Sequence, residues 1–104
     1  MQDLLRREPR PTAVFCFNDL TALGALRAIR SAGLAVPGDV SVVGYDDIGL
    51  AAYAEPPLTT IAQQSHELGR RAMLLALDLL NGKPAVSLTL TAALIERASC
   101  APVF

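Results

Sequence analysis

The side chains of this 104-residue chain that could do chemistry are the adjacent carboxylates Asp46-Asp47, the pair Asn18-Asp19, the single histidine His66, and the cysteines Cys16 and Cys100. Neighbouring carboxylates could hold a cation or divide acid and base work. Successive side chains of a strand point to opposite faces, however, so without a bend this pair cannot converge on one ion. His66 falls in the first turn of a predicted helix, where an imidazole reads as a solvated surface group rather than a base or ligand. The sequence contains no GxSxG elbow, no phosphate loop and no GxGxxG turn, so nucleophilic and phosphate chemistry lack their scaffolds. Cys16 sits inside an apolar run and Cys100 near the end, without CxxC spacing or histidine partners. Zinc and a disulfide are both unsupported, and the two read as small hydrophobes. No catalysis, metal or cofactor is expected.

Asn18 and Asp46 matter because of where the elements put them. Met1 to Glu8 reads as the last turns of a helix ended by Pro9-Arg10-Pro11. Ala13-Val14-Phe15-Cys16-Phe17 is apolar on both faces, the pattern of an interior strand of a parallel sheet between helices. Asn18-Asp19 caps a helix from about Leu20 to Ala32, stopped at Gly33. Leu23, Leu26, Ala22, Ala25, Ala28 and Ile29 cover most of its circumference, more than one sheet contact uses, so a second buried partner is implied. Val36-Pro37-Gly38-Asp39 is a turn, and Val40 to Tyr45 is a second strand, giving a right-handed βαβ unit. Ligands of open parallel sheets bind outside the carboxyl ends of strands, which puts Asn18-Asp19 and Asp46-Asp47 on one rim. Leu58 to Ile61 is extended, a helix runs from about His66 to Asn81 and closes at Gly82-Lys83-Pro84, and Glu67 pairs with Arg71 on its polar face. Val86 to Thr91 alternates with period two and predicts a strand with one wet face; Leu94 to Arg97 predicts a last strand. The local alternative for Asn18 is a plain helix cap, and for Asp46 a carboxylate capping nearby backbone.

Composition narrows the class further. The chain is 52% hydrophobic and 18% charged, too apolar for a disordered or low-complexity segment. A net charge of -1 removes the basic face that nucleic acid requires, so no nucleic acid is expected to bind these residues. No apolar run reaches the roughly 18 to 20 residues that span a bilayer. The start lacks the charged-then-apolar order of a signal peptide, so a cytoplasmic setting and no membrane partner are expected.

Four stretches in order, Ala13-Val14-Phe15-Cys16-Phe17-Asn18-Asp19-Leu20-Thr21-Ala22-Leu23-Gly24-Ala25, Val36 to Asp47 with its Gly44-Tyr45-Asp46-Asp47, Pro56-Pro57-Leu58-Thr59-Thr60-Ile61-Ala62-Gln63, and Leu94-Ile95-Glu96-Arg97-Ala98-Ser99 with Ala101-Pro102, carry a resemblance. Together they resemble the effector-binding domain of LacI/GalR-family bacterial transcription regulators. The resemblance covers nearly the whole chain but only about the last third of such a regulator. It implies an α/β fold, part of a periplasmic-binding-protein-like (type I) two-lobe domain with a parallel sheet and flanking helices. Residues 1–63 would belong mostly to the carboxyl-terminal lobe, 64–91 would return to the amino-terminal lobe, and 92–104 would be the final strand and tail. The helix-turn-helix that reads operator DNA would lie outside this chain.

The resemblance also implies roles. The family's pocket places a polar amide at the end of the first strand, an aspartate at the GYDD-like turn and a glutamine after the PPLTTI crossover, here Asn18, Asp46 and Gln63; Gln64 takes the last place if the register slips by one. The implied effector is a small polyhydroxylated molecule, a sugar or nucleoside. Asp47 and Asp19 become structural neighbours, with Asp19 helping to cap the helix. Phe17 stands where many members carry a small residue, and its ring could narrow the cleft or stack on a flat ligand. The family's dimer contacts fall on Leu23, Arg27 and the stretch Ile48, Leu50 and Tyr53, so a homodimer is expected. A sugar-binding protein of an importer shares the fold and is the competing reading; an α/β enzyme fragment is disfavoured by the missing nucleophile, metal cluster and phosphate loop.

Overall fold

The computed structural model describes residues 1–103, in the order α1 (Gln2–Leu5), β1 (Ala13–Phe15), α2 (Asp19–Ser31), β2 (Ser41–Val43), a 3-10 turn (Gly49–Tyr53), β3 (Thr60–Ala62), α3 (Ser65–Leu80) and β4 (Ala93–Ile95). Two compact units result: Met1–Ala62 with 94–103, and Gln63–Ala93.

In the first unit β1 and β2 are parallel, with Val14 opposite Val42, and α2 makes the crossover between them. The ladder runs past the named strands through Cys16 N–H to the Val43 carbonyl at 2.8 Å and Asp19 N–H to the Tyr45 carbonyl at 2.9 Å. On the other edge of β2, Val43 bridges Thr59 in parallel, Gly44 N–H reaches the Thr59 carbonyl and Asp46 N–H reaches the Ile61 carbonyl, each at 2.9 Å. Three parallel segments therefore end side by side. The β3 strand also pairs with β4.

The helix α2 is positioned by its ends. Asn18 takes extended backbone angles, and its Oδ1 accepts from Thr21 N–H at 2.8 Å, satisfying an amide that the first turn leaves unpaired. At the other end Gly33 adopts φ +74°, Leu34 N–H bonds the Ile29 carbonyl and Gly33 N–H the Arg30 carbonyl, a Schellman closure. Ala22, Ala25, Leu26 and Ile29 recur at i, i+3, i+4 and i+7, and all are buried. They pack with Cys16, Val40, Val42, Ala51 and Leu58 into one core. Ile29, Val40, Val42 and Leu58 are fully removed from water, each worth about 1.5 to 3 kcal/mol. Burial also pushes the Cys16 thiol above its ordinary pKa, so it behaves as a small hydrophobe.

The second unit is built on α3. Glu67 is bonded by Arg70 (2.6 and 2.8 Å) and by Arg71 (2.7 Å), and these guanidiniums hold its carboxyl down at about 2. Gly82 at φ +75° closes the helix, with Lys83 N–H on the Asp78 carbonyl at 2.9 Å. No residue of α3 is buried.

Two expectations are corrected. Residues 86–91 form no strand: period-two alternation describes a chain that could be half-buried, and a strand also needs a hydrogen-bonding neighbour, which this stretch does not have among the described residues. The strand expected over Ala13 to Phe17 is regular only over Ala13–Phe15 and, among the described residues, pairs with β2 alone; Phe15 and Phe17 are exposed rather than covered on both faces. On the rest of the α2 circumference, Leu23 and Ala28 are half-buried by the described residues.

Candidate functional site

The rim expected from the strand ends exists. Asn18 follows β1 and half its surface chemistry is spent locally, because Oδ1 accepts from both Thr21 N–H and Thr21 Oγ1 at 2.8 Å. The cap reading is therefore right for Oδ1, and Nδ2 is the group that can donate outward. On the next strand, Asp46 and Asp47 follow Tyr45 with φ 109° and 52°, the only non-glycine residues at positive φ among those described. The bend that was needed for the two carboxylates to leave opposite strand faces is present. Such angles cost on the order of 1 to 3 kcal/mol each and persist only where the surroundings enforce them.

Enforcement comes from three sides. Asp46 N–H is held by the Ile61 carbonyl. The residue after the turn, Ile48, donates its N–H to Asp19 Oδ2 at 2.8 Å. Asp47 Oδ1 receives Arg97 Nη2 at 2.8 Å, in a pair whose side chains are only 20% and 27% exposed. Asp46 itself is exposed on the rim.

Asp19 corrects an expectation. It lies at the start of α2, where a carboxylate favours the helix dipole, but it is fully buried and its oxygens point to the neighbouring strands: Oδ2 to Ile48 N–H and Oδ1 to the Thr60 hydroxyl. Gly44 is required beside it, because a Cβ there would overlap the Asp19 carboxylate and sit 2.9 Å from Leu58. Asp19 is thus a buried staple joining the ends of all three parallel segments.

Sequence reasoning did not assign Arg97 or Ser99. Arg97 spreads its fork, with Nη1 on the Leu58 carbonyl at 2.9 Å and Nη2 on Asp47, while its N–H bonds Thr59 Oγ1 at 3.0 Å. Ser99 is fully buried; its hydroxyl donates to the Val42 carbonyl at 2.6 Å and accepts from Thr59 N–H at 2.8 Å. The available signal was a cation and a serine just beyond an apolar strand whose partners lie 38 to 57 residues away, a distance no local pattern spans.

Gln63 is the first residue of the second unit and is exposed, and Gln64 donates Nε2 to the Thr91 carbonyl at 2.9 Å. Leu23 and Ile48 are half-buried, whereas Arg27, Leu50 and Tyr53 are exposed, Tyr53 at 88%. His66 is exposed in the first turn of α3. No cluster of three or more metal-ligating side chains exists among the described residues, and none of their helices is long and apolar enough to cross a membrane. A cavity of about 620 Å³ lies elsewhere, between α1, β1 and α2, lined by Leu4, Phe15, Phe17 and Thr21 but by none of Asn18, Asp46 and Gln63.

A carboxylate, an amide and strand-end backbone on a rim form a hydrogen-bonding surface. The model of the periplasmic binding protein-like domain matches residues 1–100. The transcriptional repressor CytR of Escherichia coli (strain K12) is 53% identical over 83 residues, 80% of this chain and 24% of the repressor. The Lac repressor dimer bound to operator and the anti-inducer ONPF superposes with a TM-score of 0.83 at 40% identity, over 92% of this chain and 34% of that one. The transcriptional regulator CelR in complex with cellobiose does so with 0.85 at 43% identity, over 94% and 31%. The chain spans about a quarter of the length of the curated relatives it matches. The relatives are repressors rather than import proteins or enzymes. A parallel sheet with its helices, a polar rim at the strand ends and these likenesses converge: the chain belongs to the periplasmic binding protein-like domain family and is similar to the effector-binding domains of LacI-type repressors.

Proposed function

We propose that this chain is the carboxyl-terminal part of the effector-binding and dimerisation core of a cytoplasmic LacI-type transcription regulator that senses a small polyhydroxylated molecule, a sugar or nucleoside. In that regulator residues 1–63 lie mostly in the carboxyl-terminal lobe, 64–91 in the amino-terminal lobe and 92–104 form the final strand and tail. Asn18, Asp46 and Gln63 bind the effector. The observation that carries this reading is the strained Asp46-Asp47 turn beside Asn18 at the ends of adjacent parallel segments. An ionised carboxylate accepts from two hydroxyls, the Asn18 amide donates, and a glutamine does both. A ligand without those hydroxyls leaves polar groups unpaired, at about 1 to 3 kcal/mol each. The likeness to a cellobiose-bound regulator supports the ligand class.

No bond is made or broken. The effector changes the affinity of the whole regulator for operator DNA, which is contacted through a domain outside these residues; a chain of net charge -1 offers no phosphate-binding face of its own. The self-association surface is Leu23, Arg27, Ile48, Leu50 and Tyr53, of which Leu50 and Tyr53 are exposed apolar side chains of the 3-10 turn. Sedimentation should report a dimer that Leu23→Glu shifts to monomer; an unchanged mass would remove this surface.

The site is tested by calorimetry of the longer gene product with D-ribose, cellobiose and adenosine. Binding of one of them, weakened at least about tenfold by Asp46→Asn, is expected. Equal binding by both proteins would take Asp46 out of the site.

A further inference from the structure

We infer that Arg97 is a positioning residue for the effector site: through Asp47 it fixes the positive-φ turn that presents Asp46. The inference rests on the reading of Asp46 as an effector ligand.

Two consecutive non-glycine residues at φ 109° and 52° relax to ordinary angles unless something holds them. Two ties on this turn act on backbone flanking the Asp47 side chain: the Ile61 carbonyl takes Asp46 N–H, and Asp19 takes Ile48 N–H. Arg97 grips the Asp47 side chain itself, through Nη2 to Oδ1 at 2.8 Å. A grip positions only if its own anchor is fixed. Arg97 is anchored twice more, by Nη1 to the Leu58 carbonyl at 2.9 Å and by its N–H to Thr59 Oγ1 at 3.0 Å. Both anchors lie on the segment leading into β3, and the next residue, Ala98, donates its N–H to the Pro57 carbonyl at 3.0 Å. The planar fork serves two acceptors at once, which a lysine ammonium on a flexible stem does not reproduce. With the side chains about three-quarters or more shielded, the pair is screened far less than a surface ion pair.

Arg97 therefore connects the segment after β4 to the turn carrying Asp46, without touching the effector. Losing it frees Asp47 and lets the turn relax, so that Asp46 must be reordered on binding.

The test uses the longer gene product with Arg97→Gln, Arg97→Lys, Asp47→Asn and the Arg97→Gln/Asp47→Asn double variant. The first readout needs no effector: the backbone amide resonance of Asp46 should shift in Arg97→Gln and in Asp47→Asn alike, and less in Arg97→Lys. The second is affinity for whichever of D-ribose, cellobiose and adenosine binds most tightly, expected to fall about tenfold in each single variant and no further in the double, because both remove one interaction. An Asp46 amide that does not move, or losses that multiply in the double variant, would overturn the inference. If Arg97→Gln does not fold, the near-isosteric Asp47→Asn decides on the same two readouts. Unchanged binding in Asp46→Asn refutes the site instead and leaves the resonance shifts to judge Arg97.

Discussion

The helices α2 and α3 have similar apolar content and similar glycine closures, yet α2 buries five residues and α3 buries none. Local chemistry accounts for both sets of ends: Asn18 and Gly33 for one, the Glu67 cluster and Gly82 for the other. It does not decide what covers a face. The α2 stripe of Ala22, Ala25, Leu26 and Ile29 meets Val40, Val42 and Leu58 within its own unit, while none of the α3 leucines is fully covered. Helix ends are a property of a few consecutive residues; the burial that stabilises a helix is a property of the rest of the fold.

The contrast is broken or sharpened most strongly by truncating one apolar side chain in each helix. Ile29→Ala removes a fully buried side chain and should cost about 2 to 5 kcal/mol. Leu77→Ala, at a residue 46% exposed, should cost less than about 1 kcal/mol in this chain. Urea titration of the two variants measures the difference, and equal midpoints would show that α3 is covered as well as α2.

A smaller effect has opposite signs in the two regions. Gly44→Ala drives a Cβ into the Asp19 carboxylate and Leu58 and should destabilise by about 1 to 3 kcal/mol. Gly69→Ala lies inside α3 with nothing within 4 Å of the new Cβ, so it should stabilise the helix by about 0.5 to 1 kcal/mol. Thermal melts of both variants check this; a loss at Gly69 would mean that something packs there.

The same division explains what was legible beforehand. Both glycine stops and the Asn18 cap follow from residues within a turn or two of each other, and the parallel βαβ unit from the order of strand, helix and strand patterns along the chain. The strand expected at Val86 to Thr91 failed because alternation describes a face and says nothing about a neighbouring strand. Asp19 was read as a cap because its sequence position suits one; its actual partners, Ile48 and Thr60, lie 29 and 41 residues on. Arg97 was invisible for the same reason. Asn18 and Asp46 were reached through resemblance and the rule for strand ends. The backbone strain at Asp46 and Asp47 has no signature in residue type, since aspartate is merely tolerant of such angles.

The central claim is that the Asn18 and Asp46 rim is a ligand surface. Its most direct test is a crystal structure of the longer gene product grown with the tightest-binding of D-ribose, cellobiose and adenosine. The account predicts ligand hydroxyls within about 3.2 Å of Asp46 and of the Asn18 amide, with Asp46 and Asp47 still at positive φ. A ligand seated elsewhere, such as between α1 and β1, with Asp46 facing only solvent, would contradict it.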